Sequence, residues 1–238
     1  MITFTGTHVT REFGAPSVYD LAVQLMRLCR FGGGCQLWWP VGMHSLVVAD
    51  LLPEELEHHG LLHDAAESAV GDVCRPFKTD AARKLERAVM ERIYVHLGVP
   101  LPTQGEEELI HRADMQAVNA EGATECSPRG YVYVQPNYQV DEAALLATKR
   151  YLETYSPIDA ITPDGRWPKL FERRLQSAIT RVHYSPVYVR AVHGNGLGRR
   201  LDGRCIRHLG EETRLGAHLL ALPAEFLVDA VEFQWRED

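Results

Sequence analysis

The stretch MHSLVVADLLPEELEHHGLLHDAAESAVGD, residues 43–72, decides both the fold class and the chemistry of this chain. Residues 41–52 are almost continuously apolar and end at Pro53, which cannot extend a helix, so they predict a short buried helix that carries His44. Residues 54–70 predict a second helix closed by Gly71-Asp72, with His63 and Glu67 one turn apart and His58-His59 on a solvated face. An imidazole inside an apolar helix is costly unless something binds it, which makes His44 a residue to account for.

Working outward, Ser17-x-x-Asp20 has the form of a capping box and opens an amphipathic helix through Val18, Leu21, Ala22, Leu25, Met26 and Cys29. That helix is stopped by Arg30-Phe31-Gly32-Gly33-Gly34, a glycine run that lets backbone come close to something. After the turn CRPFK, residues 79–97 predict a helix capped by Thr79 and stopped by Gly98 and Pro100, and residues 105–122, 139–154 and 167–181 predict three more. The stretch between 122 and 140 reads as a loop with a short hairpin. Past residue 180 the pattern becomes short alternating segments divided by glycine-rich turns such as HGNGLG. The expected architecture is therefore mainly α over residues 1–180, with a small β-rich C-terminal extension over 181–238.

Composition narrows the function. With 45% hydrophobic and 24% charged residues in 238, the chain has the balance of a soluble globular protein. It has no run of about 18 apolar residues and no basic, apolar start of a secretory signal, so the expectation is a cytoplasmic protein with no membrane partner. Five cysteines without a C-x-x-C pair indicate neither a disulfide framework nor a thiolate zinc site. Residues 181–238 carry eight Arg against eight acidic residues, so the net charge of −7 resides in residues 1–180. A stable nucleic-acid partner, which would call for a basic face, is not expected, whereas small anions can be met by local Arg and Lys.

The chemistry-bearing residues are His63-Asp64 on one expected helix, His44 on the one before, and Asp114 on a later one, where it shares a face with Ala117, Val118 and Glu121. Two imidazoles and two carboxylates form an N₂O₂ set suited to Mn, Fe, Co, Ni or Zn rather than to Ca or Mg. With an open coordination position, such a centre binds and activates water. Phe31, Trp38 and Trp39 are candidates either to stack on a base or to serve as core or subunit contacts.

MHS, then LLHDAAESAVGD with RPFK, then HRADMQAVNAE resembles the H…HD…D pattern of the HD-domain metal-dependent phosphohydrolases over roughly residues 10–155. RFGGGCQLWWPVGMHS followed by LLHDAAESAVGDVCRPFK is similar to the branch with bacterial 5′-deoxynucleotidases and phage HD nucleotidases, including dATP triphosphohydrolases. Met43 departs from the Gln or Glu frequent there, and the His44–His63 spacing is short. The resemblance implies a helical HD bundle in which His44, His63, Asp64 and Asp114 hold one divalent metal ion, with Mg alongside a triphosphate substrate. It further implies that Glu67 handles a proton of the water or the leaving oxygen and that Asp72 assists. Arg30 and Lys78, with Arg75 a weaker candidate, would meet phosphate, and Phe31 would stack on the base.

The expected activity is hydrolysis of a 2′-deoxynucleotide by water attack at the α-phosphorus. It would release deoxynucleoside with phosphate from a monophosphate, or with triphosphate from a dNTP, in a protein expected to be a homo-oligomer. The alternatives are hydrolysis of cyclic nucleotides or guanosine polyphosphate alarmones on the same metal set, and a non-catalytic nucleotide-sensing protein built on the same scaffold.

Overall fold

The computed structural model describes residues 1–10, 12–129 and 139–184, and among these the protein is mainly helical. The helices are α1 (Val18–Met26), α2 (Val41–Asp50), α3 (Glu57–Leu62), α4 (Glu67–Val70), α5 (Asp80–Leu97), α6 (Gln104–Gly122), α7 (Glu142–Leu152), α8 (Pro157–Ile161) and α9 (Arg166–His183). No described helix is long and apolar enough to cross a membrane. The chain falls into two compact units, the first made of Met1–Ile93 and Leu101–Ala178. The second comprises Tyr94–Pro100 and Ile179–Asp238; within its described part the His183 ring Nε2 donates to the Gly98 carbonyl at 3.0 Å. The expected β-rich segments and the short hairpin fall on residues 185–238 and 130–138, which lie outside those described.

The core of the first unit is α2. Residues Val41 to Ala49 are all buried, as the near-continuous apolar run requires, and the helix packs against α1, α3, α6 and α7. Its approach to α3 is set at Gly60, where a Cβ would stand 2.6 Å from the Ala49 Cα. A clamp from the far side secures this pair: Arg174 of α9 donates to Asp50 Oδ1 at 2.7 Å, to Glu57 Oε1 at 2.6 Å and to the Tyr151 hydroxyl at 2.9 Å. Trp39, Trp167 and Phe171 complete the interior as its largest enclosed aromatic side chains.

The Ser17–Asp20 capping box forms as expected. The Asp20 N–H donates to Ser17 Oγ at 3.1 Å, and the Asp20 carboxylate accepts from the Ser17 N–H at 3.1 Å and the Ser17 hydroxyl at 2.8 Å. The same carboxylate accepts from the Thr5 N–H at 2.8 Å and the Thr5 hydroxyl at 2.9 Å, so it also pins the N-terminal segment.

Two expectations are corrected here. Residues 54–70 do not form one helix: a 3-10 turn at Glu54–Leu56 leads into α3, and i→i+3 bonds such as Glu67 N–H to Asp64 O at 3.0 Å separate α3 from α4. The cause is local, because the Gly60 carbonyl, which a continuing helix would offer to the Asp64 N–H, accepts from His63 Nδ1 at 2.8 Å. His58 and His59 are not solvated either. At 4% and 2% exposed they are buried, because every residue of α3 after Glu57 is covered by the surrounding protein. Burial pushes the His59 imidazole down to about 4.

Adding a methyl group at Gly60 drives it into the α2 backbone, so Gly60→Ala should cost about 1–3 kcal/mol in urea unfolding. Burial alone would raise the Asp20 carboxyl, but its hydrogen bonds from Thr5 and Ser17 hold it below the usual range. A depressed carboxylate stabilises the fold above its unfolded value and ceases to as pH falls through its folded value. Asp20→Asn should therefore lose about 1–2 kcal/mol at neutral pH, and the gap from wild type should close on titration into acid.

Candidate metal centre

Four segments converge on one centre: α2 with His44, the turn after α3 with His63 and Asp64, α6 with Asp114 and Glu121, and the 30–39 loop with Arg30. Asp114 and Glu121, two turns apart, lie on one helix face and bracket His44. His44 is fully enclosed, its Nδ1 2.9 Å from Glu121 Oε1 and its Nε2 3.1 Å from Asp114 Oδ1. The ring centroids of His44 and His63 are 5.1 Å apart. One ligand atom from each of His44, His63 and Asp114 lies within 4.8 Å of the other two, a group able to hold a metal ion.

The donor set fits such an ion. His63 commits Nδ1 to the Gly60 carbonyl, while its Nε2 is shielded from solvent and makes no hydrogen bond, although Asp64 Oδ2 stands 3.2 Å away. A shielded imidazole nitrogen in that state, beside a second imidazole and a carboxylate, has the chemistry of a ligand to a borderline-soft divalent cation. Asp64, the fourth expected ligand, stands outside the group of three. Its Oδ2 faces His63 and, at 3.7 Å, Arg30 Nη1.

Cations surround the acidic centre. Arg30 has a side chain only 11% exposed, with Nε 3.2 Å from Glu121 Oε2. Lys78 Nζ stands 3.8 Å from Glu67 Oε1 and is held at 2.9 Å by Glu86 of α5. Arg75, more exposed, reaches Asp114 Oδ2 at 3.1 Å. The Arg30 guanidinium lies over the Phe31 ring, 5.3 Å from its centroid. Arg30 and Trp39 are neighbours because the loop is closed by Arg30 N–H to Trp39 O at 3.0 Å and Val41 N–H to Leu28 O at 2.9 Å.

The turn after Arg30 is strained. Phe31 has φ of 55° and is followed by Gly32 at 59° and Gly33 at 82°, a left-handed sequence that glycine accepts and phenylalanine resists. Asp72 holds it, its Oδ2 accepting the Phe31 N–H at 3.1 Å. The residue expected to assist chemistry thus supports the backbone beneath Phe31.

Charge shapes the protonation states. Burial works against a charged His63, yet the adjacent Asp64 outweighs it and raises the imidazole to about 9. Asp64 is driven well below the carboxylate range, with His63 the main cause after burial, which acts the other way. Glu67 moves in the opposite direction: burial, with the charges of Asp64 and Asp72, pushes it up to about 10, and Arg30 and Lys78 offset this only in part. One of its oxygens, Oε2, is shielded and has no hydrogen-bond partner.

Two residues of this network are not among those the sequence singles out for a role. Glu121 is recognisable there only as a neighbour of Asp114 on its helix face, although a carboxylate seven residues past a ligand and facing the same way is a usable signal. Glu86 gives no signal, because nothing local says that α5 turns it toward Lys78. Trp39, left open between base stacking and the core, is a core residue at 0% exposure with its Nε1 donating to Glu121 Oε1 at 2.8 Å, whereas Trp38 is exposed.

No family model matches this chain. Over 61 residues it is 34% identical to the uncharacterized protein YfdR of Escherichia coli strain K12, a stretch covering 26% of this chain and 34% of that protein. The match thus spans about a third of the length of the curated relative.

His63→Ala removes an imidazole nitrogen of the centre that is buried without a hydrogen bond. It should weaken zinc or cobalt binding by at least about 100-fold, the upper end of what loss of a supporting residue costs. Metal analysis after dialysis checks this, and full occupancy in the variant would refute the ligand assignment.

Proposed function

We propose that the protein is an HD-domain metal-dependent phosphohydrolase that acts on 2′-deoxynucleotides by attack of water at the α-phosphorus. The observation that carries this reading is the convergence of His44, His63 and Asp114, in the H…HD…D order, beside the largely buried cations Arg30 and Lys78. His44, His63 and Asp114 would hold a divalent transition ion, with Asp64 turning inward from Arg30 as the fourth ligand. When bound, the ion supplies Lewis-acid polarisation and lowers the pKa of water.

The remaining work falls to side chains. Arg30 and Lys78 are fixed by carboxylates at 3.2 Å and 2.9 Å and are thereby ready to meet phosphate oxygens as charge shifts in the transition state. Arg75, the most exposed of the three, would be available to the outer phosphates of a longer chain. Glu67, buried and raised, holds a proton at neutral pH and can deliver it to the departing 5′-oxygen. The left-handed turn at Phe31 sets an aromatic face beside Arg30, an arrangement suited to stacking on a base.

The test is product chromatography on protein stripped by chelator and re-supplied with Mn, Co, Zn or Mg, against all dNMPs, dNTPs and their ribose counterparts. Metal-dependent release of free deoxynucleoside is expected, and Glu67→Gln should lower kcat by about 10²–10⁴-fold with metal still bound. Absence of deoxynucleoside from every substrate, with metal bound, would defeat the proposal and turn attention to cyclic and alarmone substrates.

A further inference from the structure

Glu121 is a carboxylate with 0% exposure, placed deep in a helical interior where an uncompensated charge would be expelled. Its surroundings explain why it is retained. Oε1 accepts from Trp39 Nε1 at 2.8 Å and faces His44 Nδ1 at 2.9 Å, while Oε2 pairs with Arg30 Nε at 3.2 Å. Burial opposes its ionisation, and the charge of Arg30 does most to overcome that opposition, so the carboxyl is held below the usual range.

Each contact has a directional consequence. A carboxylate at His44 Nδ1 holds a proton there, so a cation that displaces the contact between Nε2 and Asp114 Oδ1, 3.1 Å away, would meet the Nε2 lone pair. The carboxylate pairs in charge with Arg30 at Nε, while Arg30 Nη1 stands 3.7 Å from Asp64 Oδ2. One buried group therefore orients both the first metal ligand and the innermost cation. Loss of either contact would be felt at the other through the same side chain.

We propose that Glu121 is the positioning residue of the centre, holding His44 through a proton on Nδ1 and anchoring Arg30, so that metal affinity and anion-side geometry are set by one carboxylate. This rests on the metal centre of the function proposed above, though not on its substrate.

The experiment uses the full chain, labelled with ¹⁵N at histidine, and zinc as the only added probe. The wild type should show a His44 Nδ1–H resonance far downfield and protected from exchange, both with and without zinc. In Glu121→Gln that resonance should shift or vanish, and the zinc Kd should rise about 10–100-fold. Glu121→Asp keeps the charge for Arg30 while withdrawing the oxygens from His44. It guards against misfolding of the neutral variant and should move the resonance with Tm close to wild type.

A purely structural Glu121 would lower Tm in the Gln variant yet leave the resonance and zinc affinity of the Asp variant unchanged, and that result overturns the inference. Because the resonance is read without metal, a wild type that bound no zinc would defeat the proposed function while the resonance still decided whether Nδ1 is held through a proton. Inactivity toward nucleotides would leave the resonance and zinc readouts unaffected.

Discussion

The close crossing of α2 and α3 at Gly60 is the constraint from which the centre follows. Without a side chain at that position the α3 backbone lies against Ala49, and this approach brings the imidazoles of His44 on α2 and His63 just past α3 to a centroid separation of 5.1 Å. The same residue's carbonyl takes the His63 Nδ1–H, diverts the chain from regular α winding and points the other ring nitrogen inward. Glycine here acts as spacer and acceptor at once. The Arg174 clamp on Asp50 and Glu57 holds the two helices in that relation from the opposite side.

Around this crossing the site follows a consistent division of labour. Both histidines commit Nδ1, one to a backbone carbonyl and the other to a buried carboxylate, and both present Nε2 to a common space. Each inner cation is likewise tethered by an acid, Arg30 by Glu121 and Lys78 by Glu86. Fixing these groups before any ligand arrives lowers the reorganisation that binding and reaction would otherwise require. Neighbouring groups diverge in pKa because burial, with the charges of Asp64 and Asp72, forces Glu67 up, while the charges of His63, His44 and Arg30 overcome burial and force Asp64 down.

Much of this could be read from the residues, for identifiable reasons. The helical class followed from periodicity, the first helix from its Ser17–Asp20 cap, and buried α2 from a run with no polar face. His44 and Asp114 stood out as polar groups in apolar surroundings and His63 as half of a His-Asp pair, and the structure brings the three together. The failures share a cause in tertiary context. Whether a polar residue such as His58 faces water depends on what covers its helix, and a break between α3 and α4 without Pro or Gly depends on one side chain outcompeting a backbone donor. The pairing of Glu86 with Lys78 and that of Asp64 with Arg30 likewise depend on partners remote in sequence.

The left-handed backbone at Phe31 has an implication for the evolvability of this protein. A phenylalanine there costs on the order of 1–3 kcal/mol relative to a residue at ease in that region. Selection for thermal stability alone would thus favour replacement by glycine, extending the run that already follows. Such a change would relax the turn that Asp72 restrains and remove the aromatic face beside Arg30. Stability and the aromatic surface beside Arg30 pull in opposite directions at this one position, so variants optimised for robustness are expected to lose that surface first.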